Sequence, residues 1–130
     1  KKSIFYIDSY NTVPYLMLAD VLVSDTSSII GEYCAFNKPI VSFKVETGTR
    51  LTEDIKELIG SISVSVQSFD EAKTAIEKSL KNDTLGAARE AANKKFFYAL
   101  DGKASDRAAE EIVKVLQENN LHTDASLMQV

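Results

Sequence analysis

A chain of 130 residues, 45% of them apolar and 26% charged, is long enough for one soluble globular domain with its own core. Its formal charge of −4 offers no basic excess for a general nucleic-acid partner, although a local cationic pocket is not excluded. A single cysteine, Cys34, rules out an internal disulfide and fits a reducing compartment. There is no signal-peptide pattern and no apolar run long enough to span a bilayer, so the expected location is cytoplasmic or peripheral to a membrane. Lys1 and Lys2, with no initiator Met, lead straight into an apolar run, which reads as a chain cut from a larger protein.

In chain order, Ile4-Phe5-Tyr6-Ile7 reads as a strand closed by the turn-forming cluster Asp8-Ser9-Tyr10-Asn11. Val13 to Ala19 follows as a helix with Pro14 in its first turn. Val21-Leu22-Val23-Ser24 is uninterrupted and β-branched, the pattern of a strand buried on both faces. Thr26 to Phe36 is helical by spacing, with Ile29, Ile30, Tyr33 and Cys34 on one stripe. Pro39 to Phe43 is the next buried strand, with proline at its start.

Beyond a polar loop from Lys44 to Arg50 that contains Gly48, Leu51 to Ile59 reads as a short helix and Ile62 to Val66 as a further strand. Ser68-Phe69-Asp70-Glu71 fits a capping box, and Ala72, Ala75, Ile76 and Leu80 supply the stripe of the helix it opens. Leu85 to Tyr98 and Ser105 to Asn119 read as two more helices, separated by Asp101-Gly102. The expected fold is α/β, a Rossmann-like parallel half-sheet of about four strands with a helical tail. Residues 1–120 form the expected α/β domain, short of its N-terminal part, and residues 121–130 form a frayed tail.

Ligands of open parallel sheets bind beyond the carboxyl ends of the strands. Ser24-Asp25-Thr26-Ser27-Ser28 is the strongest such place, because a strand runs directly into hydroxyls and free N–H groups at a helix start, which suits a phosphate. At about 100° per residue, Ser28, Gly31, Glu32 and Ala35 share the face opposite the apolar stripe. That small, polar face leaves room for a ligand, and Glu32 lies roughly 6 Å beyond Ser28, where a carboxylate could accept from ribose hydroxyls. Ordinary N-capping and a solvated glutamate would produce the same residues, and periodicity does not decide between the readings.

The other candidates divide in the same way. Lys44 and Arg50 could neutralise a diphosphate or simply border a surface loop. Arg107 near a helix start opposes the dipole and hints at an acidic partner. Tyr10 and Tyr15 suit packing better than base stacking, and Cys34 falls on the core stripe. The only histidine, His122, has no cluster around it at metal-ligand spacing, so neither a metal nor a cofactor is expected.

The stretch Ala19-Asp20-Val21-Leu22-Val23-Ser24-Asp25-Thr26-Ser27-Ser28-Ile29-Ile30-Gly31-Glu32-Tyr33, then Asn37-Lys38-Pro39-Ile40-Val41, resembles the C-terminal domain of the CDP-glycerol glycerophosphotransferases, the teichoic-acid-polymerase-like family. Asp101-Gly102-Lys103-Ala104-Ser105-Asp106-Arg107 resembles that family's closing segment. The resemblance implies a GT-B-like, metal-independent transferase whose C-terminal domain binds the donor. The diphosphate would lie at Ser27 and Ser28 with Thr26, the ribose at Glu32, and further phosphate contacts at Lys44, Arg50 and Arg107. Thr26 stands where that family has an aromatic residue, and Glu32 where aspartate is more usual.

The implied partners are a CDP-polyol or nucleotide-sugar donor and, through a domain outside this chain, a polymer acceptor of the cell envelope. The implied place of work is the cytoplasmic face of the membrane. Histidines that act in catalysis in that family would come from upstream segments, so donor binding without turnover is the expectation for this chain alone, with no catalytic residue assigned. Two alternatives stand beside it. One is a UDP-N-acetylglucosamine 2-epimerase-like enzyme, where glycines replace the two serines; the other is a non-catalytic α/β binding or assembly module. In the doubly wound order 3-2-1-4-5-6, Ile4 to Ile7 would be the third strand with no neighbour here, so self-association through an exposed sheet edge is also expected.

Overall fold

The computed structural model describes residues 3–25, 27–44 and 51–118. Thr26, Gly48, Arg50, Asn119 and the tail at 121–130 with His122 lie outside the described residues. The chain divides into two compact units, Lys1–Phe96 and Phe97–Val130.

The first unit runs α1 (Val13–Leu18), β1 (Leu22–Ser24), α2 (Ile29–Cys34), β2 (Ile40–Phe43), α3 (Glu53–Ile62), β3 (Val64–Val66), α4 (Phe69–Lys81) and α5 (Gly86–Phe96). The strands form a parallel sheet in the order β1-β2-β3. Leu22 pairs with Ile40 and Ser24 with Ser42; across the next ladder Ser42 pairs with Ser65 and Phe43 with Val66.

Alternation along β2 divides the core between the two faces of the sheet. Ile40 joins Leu16, Ile30, Tyr33, Cys34, Ile62 and Ala92 on one face, whereas Val41 joins Val66, Ala72 and Ala75 of α4 on the other. The α2 stripe read from spacing is confirmed: Ile30, Tyr33 and Cys34 are buried, and Ile29 packs against them. Burial raises the pKa of the Cys34 thiol, keeping it a small hydrophobe.

The sequence expectation of about four strands needs correction, since the described sheet has three. Ile4 to Ile7 forms no strand, and Ile4, Phe5 and Tyr6 are 96%, 82% and 91% exposed. Apolar, β-prone residues make a strand only where a ladder partner satisfies their backbone, and no described segment pairs with them. The helix read from Thr26 starts at Ile29 and gives way after Cys34 to turns closed three residues back, from Phe36 N–H to Tyr33 O and from Asn37 N–H to Cys34 O. Asn37 sits at φ 51°, a left-handed position that asparagine tolerates better than most residues.

Ser68 caps α4 as the sequence implies: its hydroxyl accepts from Glu71 N–H at 3.2 Å, while the Glu71 carboxylate accepts from Gln67 N–H at 2.8 Å. In the second unit, Gly102 at φ 73° makes the break before α6 (Ala104–Glu118). None of the α6 residues is buried. Among the described residues no helix is long and apolar enough to cross a membrane.

Candidate functional site

Because all three strands are parallel, their carboxyl ends lie along one edge of the sheet. That edge carries Ser24 at the end of β1 with Asp25 after it, Lys44 after β2 and Gln67 after β3. Ser27 and Ser28 are exposed there, at the start of α2. The Ser27 hydroxyl accepts from Ile29 N–H at a long 3.5 Å, and Ser28, the residue before the helix, makes no side-chain cap bond. Ordinary capping therefore accounts poorly for Ser28.

Glu32 is exposed in the first turn of α2. The face it shares with Ser28 is only partly open. A Cβ at Gly31 would stand 3.6 Å from the Phe96 ring, so Phe96 covers the middle of the face. Lys44 is exposed, and its N–H donates to Val66 O at 2.9 Å, which fixes the end of β2 against β3. Tyr10 and Tyr15 are exposed rather than packed.

Arg107 belongs to the second unit. Its guanidinium donates to both carboxylate oxygens of Asp101, at 2.8 and 3.2 Å, and lies 5.3 Å from the Tyr98 ring centroid. The acidic partner suggested by its place near a helix start is thus Asp101. The bond from Arg107 and then that from Lys103 N–H hold the Asp101 carboxyl below the usual aspartate range. A carboxyl depressed in the folded state adds stability above its unfolded pKa, and that stability is lost as pH falls through the folded value. Carbon-detected NMR should accordingly find Asp101 titrating below ordinary aspartates, and Arg107→Gln should raise its midpoint; an unchanged midpoint would remove the pairing.

Two features escaped sequence reasoning. The first is a row of hydroxyls on one face of the sheet, formed by Ser24, Ser42 and Ser65 in register. Ser42 Oγ lies 2.8 Å from Ser63 Oγ and 3.3 Å from Ser65 Oγ, and Ser63 donates to Ile59 O at 2.7 Å when its hydroxyl is so turned. These contacts satisfy the Ser42, Ser63 and Ser65 hydroxyls within the sheet.

The second is Arg89, fully buried in α5. Its Nε donates to Asn37 Oδ1 at 3.1 Å, its Nη2 donates to Asn37 O and pairs with Asp83, and its Nη1 is buried without a hydrogen-bond partner among the described residues. The available signal was position: Arg89 shares the inward stripe of α5 with Ala92 and Phe96. Among the described residues no cluster of histidine, cysteine and acidic side chains could hold a metal ion.

Fold and edge together define an α/β protein with a parallel sheet and a strand-to-helix turn rich in hydroxyls. Residues 1–114 match the family described as CDP-glycerol:poly(glycerophosphate) glycerophosphotransferase, and the chain belongs to that family. No curated protein and no solved structure matches it. Membership makes it a transferase-family chain and implies a CDP-glycerol-type donor and a polymer acceptor.

Proposed function

We propose that this chain supplies the donor-binding part of a glycerophosphotransferase that builds a cell-envelope polymer at the cytoplasmic face of the membrane. In this reading the donor is a CDP-polyol. Its diphosphate lies at Ser27 and Ser28 with Thr26, its ribose hydroxyls donate to Glu32, and Lys44 and Arg50 offset the phosphate charge. Arg107 is left out of this set because its guanidinium is already given to Asp101.

The supporting observation is the turn between β1 and α2, inside the family match, where both serines are exposed and Ser28 is not spent on capping. The chemistry suits such an edge. An acceptor hydroxyl attacks the polyol-side phosphorus, an O–P bond forms, the P–O–P bond breaks, and CMP leaves with the electron pair while the hydroxyl proton passes to a base. Hydroxyl and N–H donors at the turn would hold the charge that builds on the leaving phosphate.

Calorimetric titration with CDP-glycerol, CDP-ribitol and UDP-N-acetylglucosamine tests this. A CDP ligand should bind, and Ser27→Ala with Ser28→Ala should weaken it about tenfold or more, the effect of losing one or two hydrogen bonds to a charged group. Undiminished binding by the double variant would move the donor elsewhere. Binding of the UDP sugar alone would favour an epimerase-like chain.

A further inference from the structure

A cavity of about 470 Å³ lies at the opposite edge of the sheet, beside Ile40 at the start of β2 and Val64 at the start of β3. Its wall is formed by Lys78 and Lys81 in the last turns of α4, by Thr84 in the following loop, and by Arg89. The volume falls in the range of small-molecule sites, and the mixture of an apolar floor with a few polar groups is typical of them. Asp83, also in the wall, is paired with Arg89, so that charge pair is internally balanced. Lys78 and Lys81 form no ion pair with a described residue, leaving two positive charges at the cavity. The carboxyl end of a helix carries partial negative charge, so an anion held there depends on those lysines. Arg89 is buried in this wall and engaged by Asn37 and Asp83, so the exposed Lys78, Lys81 and Thr84 are the groups open to a ligand.

We propose that this cavity is a second anion site, distinct from the donor edge, which holds a glycerophosphate unit of the polymer. A phosphodiester oxygen meets Lys78 and Lys81, the glycerol hydroxyl meets Thr84, and the short carbon chain rests on Ile40 and Val64. The inference rests on the family's acceptor being poly(glycerophosphate), but not on where the donor binds. A polymer held at the amino ends of the strands leaves the carboxyl edge free, so both ligands can be bound at once.

The test is an NMR titration of the full chain with a glycerophosphate trimer, with glycerol 3-phosphate, inorganic phosphate and glycerol as the other probes. The trimer should shift amides between Lys78 and Arg89, and Lys78→Gln with Lys81→Gln should weaken it about tenfold or more while leaving CDP-glycerol affinity unchanged and lowering the thermal midpoint only slightly, through the lost interaction with the helix dipole. Ser27→Ala with Ser28→Ala should leave trimer binding intact. Trimer binding unaffected by the lysine substitutions, shifts confined to the carboxyl edge, or no binding at all would each overturn the proposal. Equal affinity for inorganic phosphate would overturn the polymer as its ligand. Failure of CDP-glycerol to bind, with the trimer still held at the lysines, would count against the donor site alone.

Discussion

Replacing Arg89 by alanine is expected to destabilise the fold by about 3 kcal/mol, at the lower end of the usual cost of removing one partner from a buried ion pair. The guanidinium is fully buried, so its loss strands the Asn37 acceptors and the Asp83 carboxylate together. The lower end applies because the Asp83 side chain is 27% exposed and can regain water. Arg89→Met should do little better than alanine, since volume is restored but the acceptors are not. Adding Asp83→Asn to Arg89→Met should recover much of the loss, because pairs removed together are often near neutral. Urea denaturation of the unaltered protein, Arg89→Met, Asp83→Asn and the double variant closes the cycle. If the double variant is as unstable as Arg89→Met alone, the deficit lies in the stranded Asn37 acceptors rather than in the Asp83 charge.

That network also shows where the sequence was legible and where it was not. Residues obeying one rule could be read: the strand at β2, the stripe of α2, the Ser68 cap and the Gly102 break all follow from local preference and period. The run at β1 makes a strand but not one buried on both faces, since Val23 is 44% exposed where α4 packs over β2 and β3 instead. Ile4 to Ile7 satisfies the same local rule but fails because a strand is completed by its neighbour, a non-local term invisible in its own residues. The α3–β3 boundary failed for a different reason. Ile62 continues both the helical series from Ile55, Leu58 and Ile59 and the alternation of Ser63-Val64-Ser65-Val66. The helix takes it, and Ser63 at φ −133° is the first extended residue. Arg89 was hidden because an arginine followed by Glu90 reads as part of a charged surface, and only pairing with Asp83 and Asn37 makes its burial tolerable.

At the candidate site, Ser27, Ser28 and Glu32 could be singled out from the strand-to-helix pattern, and all three are exposed near the expected edge. Phe96 lying over Gly31 could not, because it comes from a helix far along the chain. The serine row across β1, β2 and β3 likewise needs the register of the sheet before its members become neighbours.

Tyr33 ties the turn between β1 and α2 to the rest of the first unit, and Tyr33→Ala should cost about 3–5 kcal/mol, the range for emptying a buried aromatic site. The ring fills the core beside Ile30 and Cys34, and its hydroxyl donates to Ala19 O at 2.9 Å. Burial first, then the negative charge of Asp20, raises the phenol pKa, so it remains a donor across the physiological range. Lys38 Nζ donates to the same Ala19 carbonyl and to Met17 O, both at 2.8 Å, clamping the end of α1 just before β1 begins. Tyr33→Phe alone should therefore cost only about 0.5–1 kcal/mol, since Lys38 still satisfies Ala19 O. Tyr33→Phe combined with Lys38→Met should exceed the sum of the single losses by about 0.5 kcal/mol or more, because two donors then leave one carbonyl. Strict additivity in the denaturation cycle would show that the two donors do not share Ala19. If the clamp holds as described, the double variant also loosens the path from Ala19 through β1 to Ser27 and Ser28, and CDP-glycerol affinity should fall although neither altered residue touches the donor.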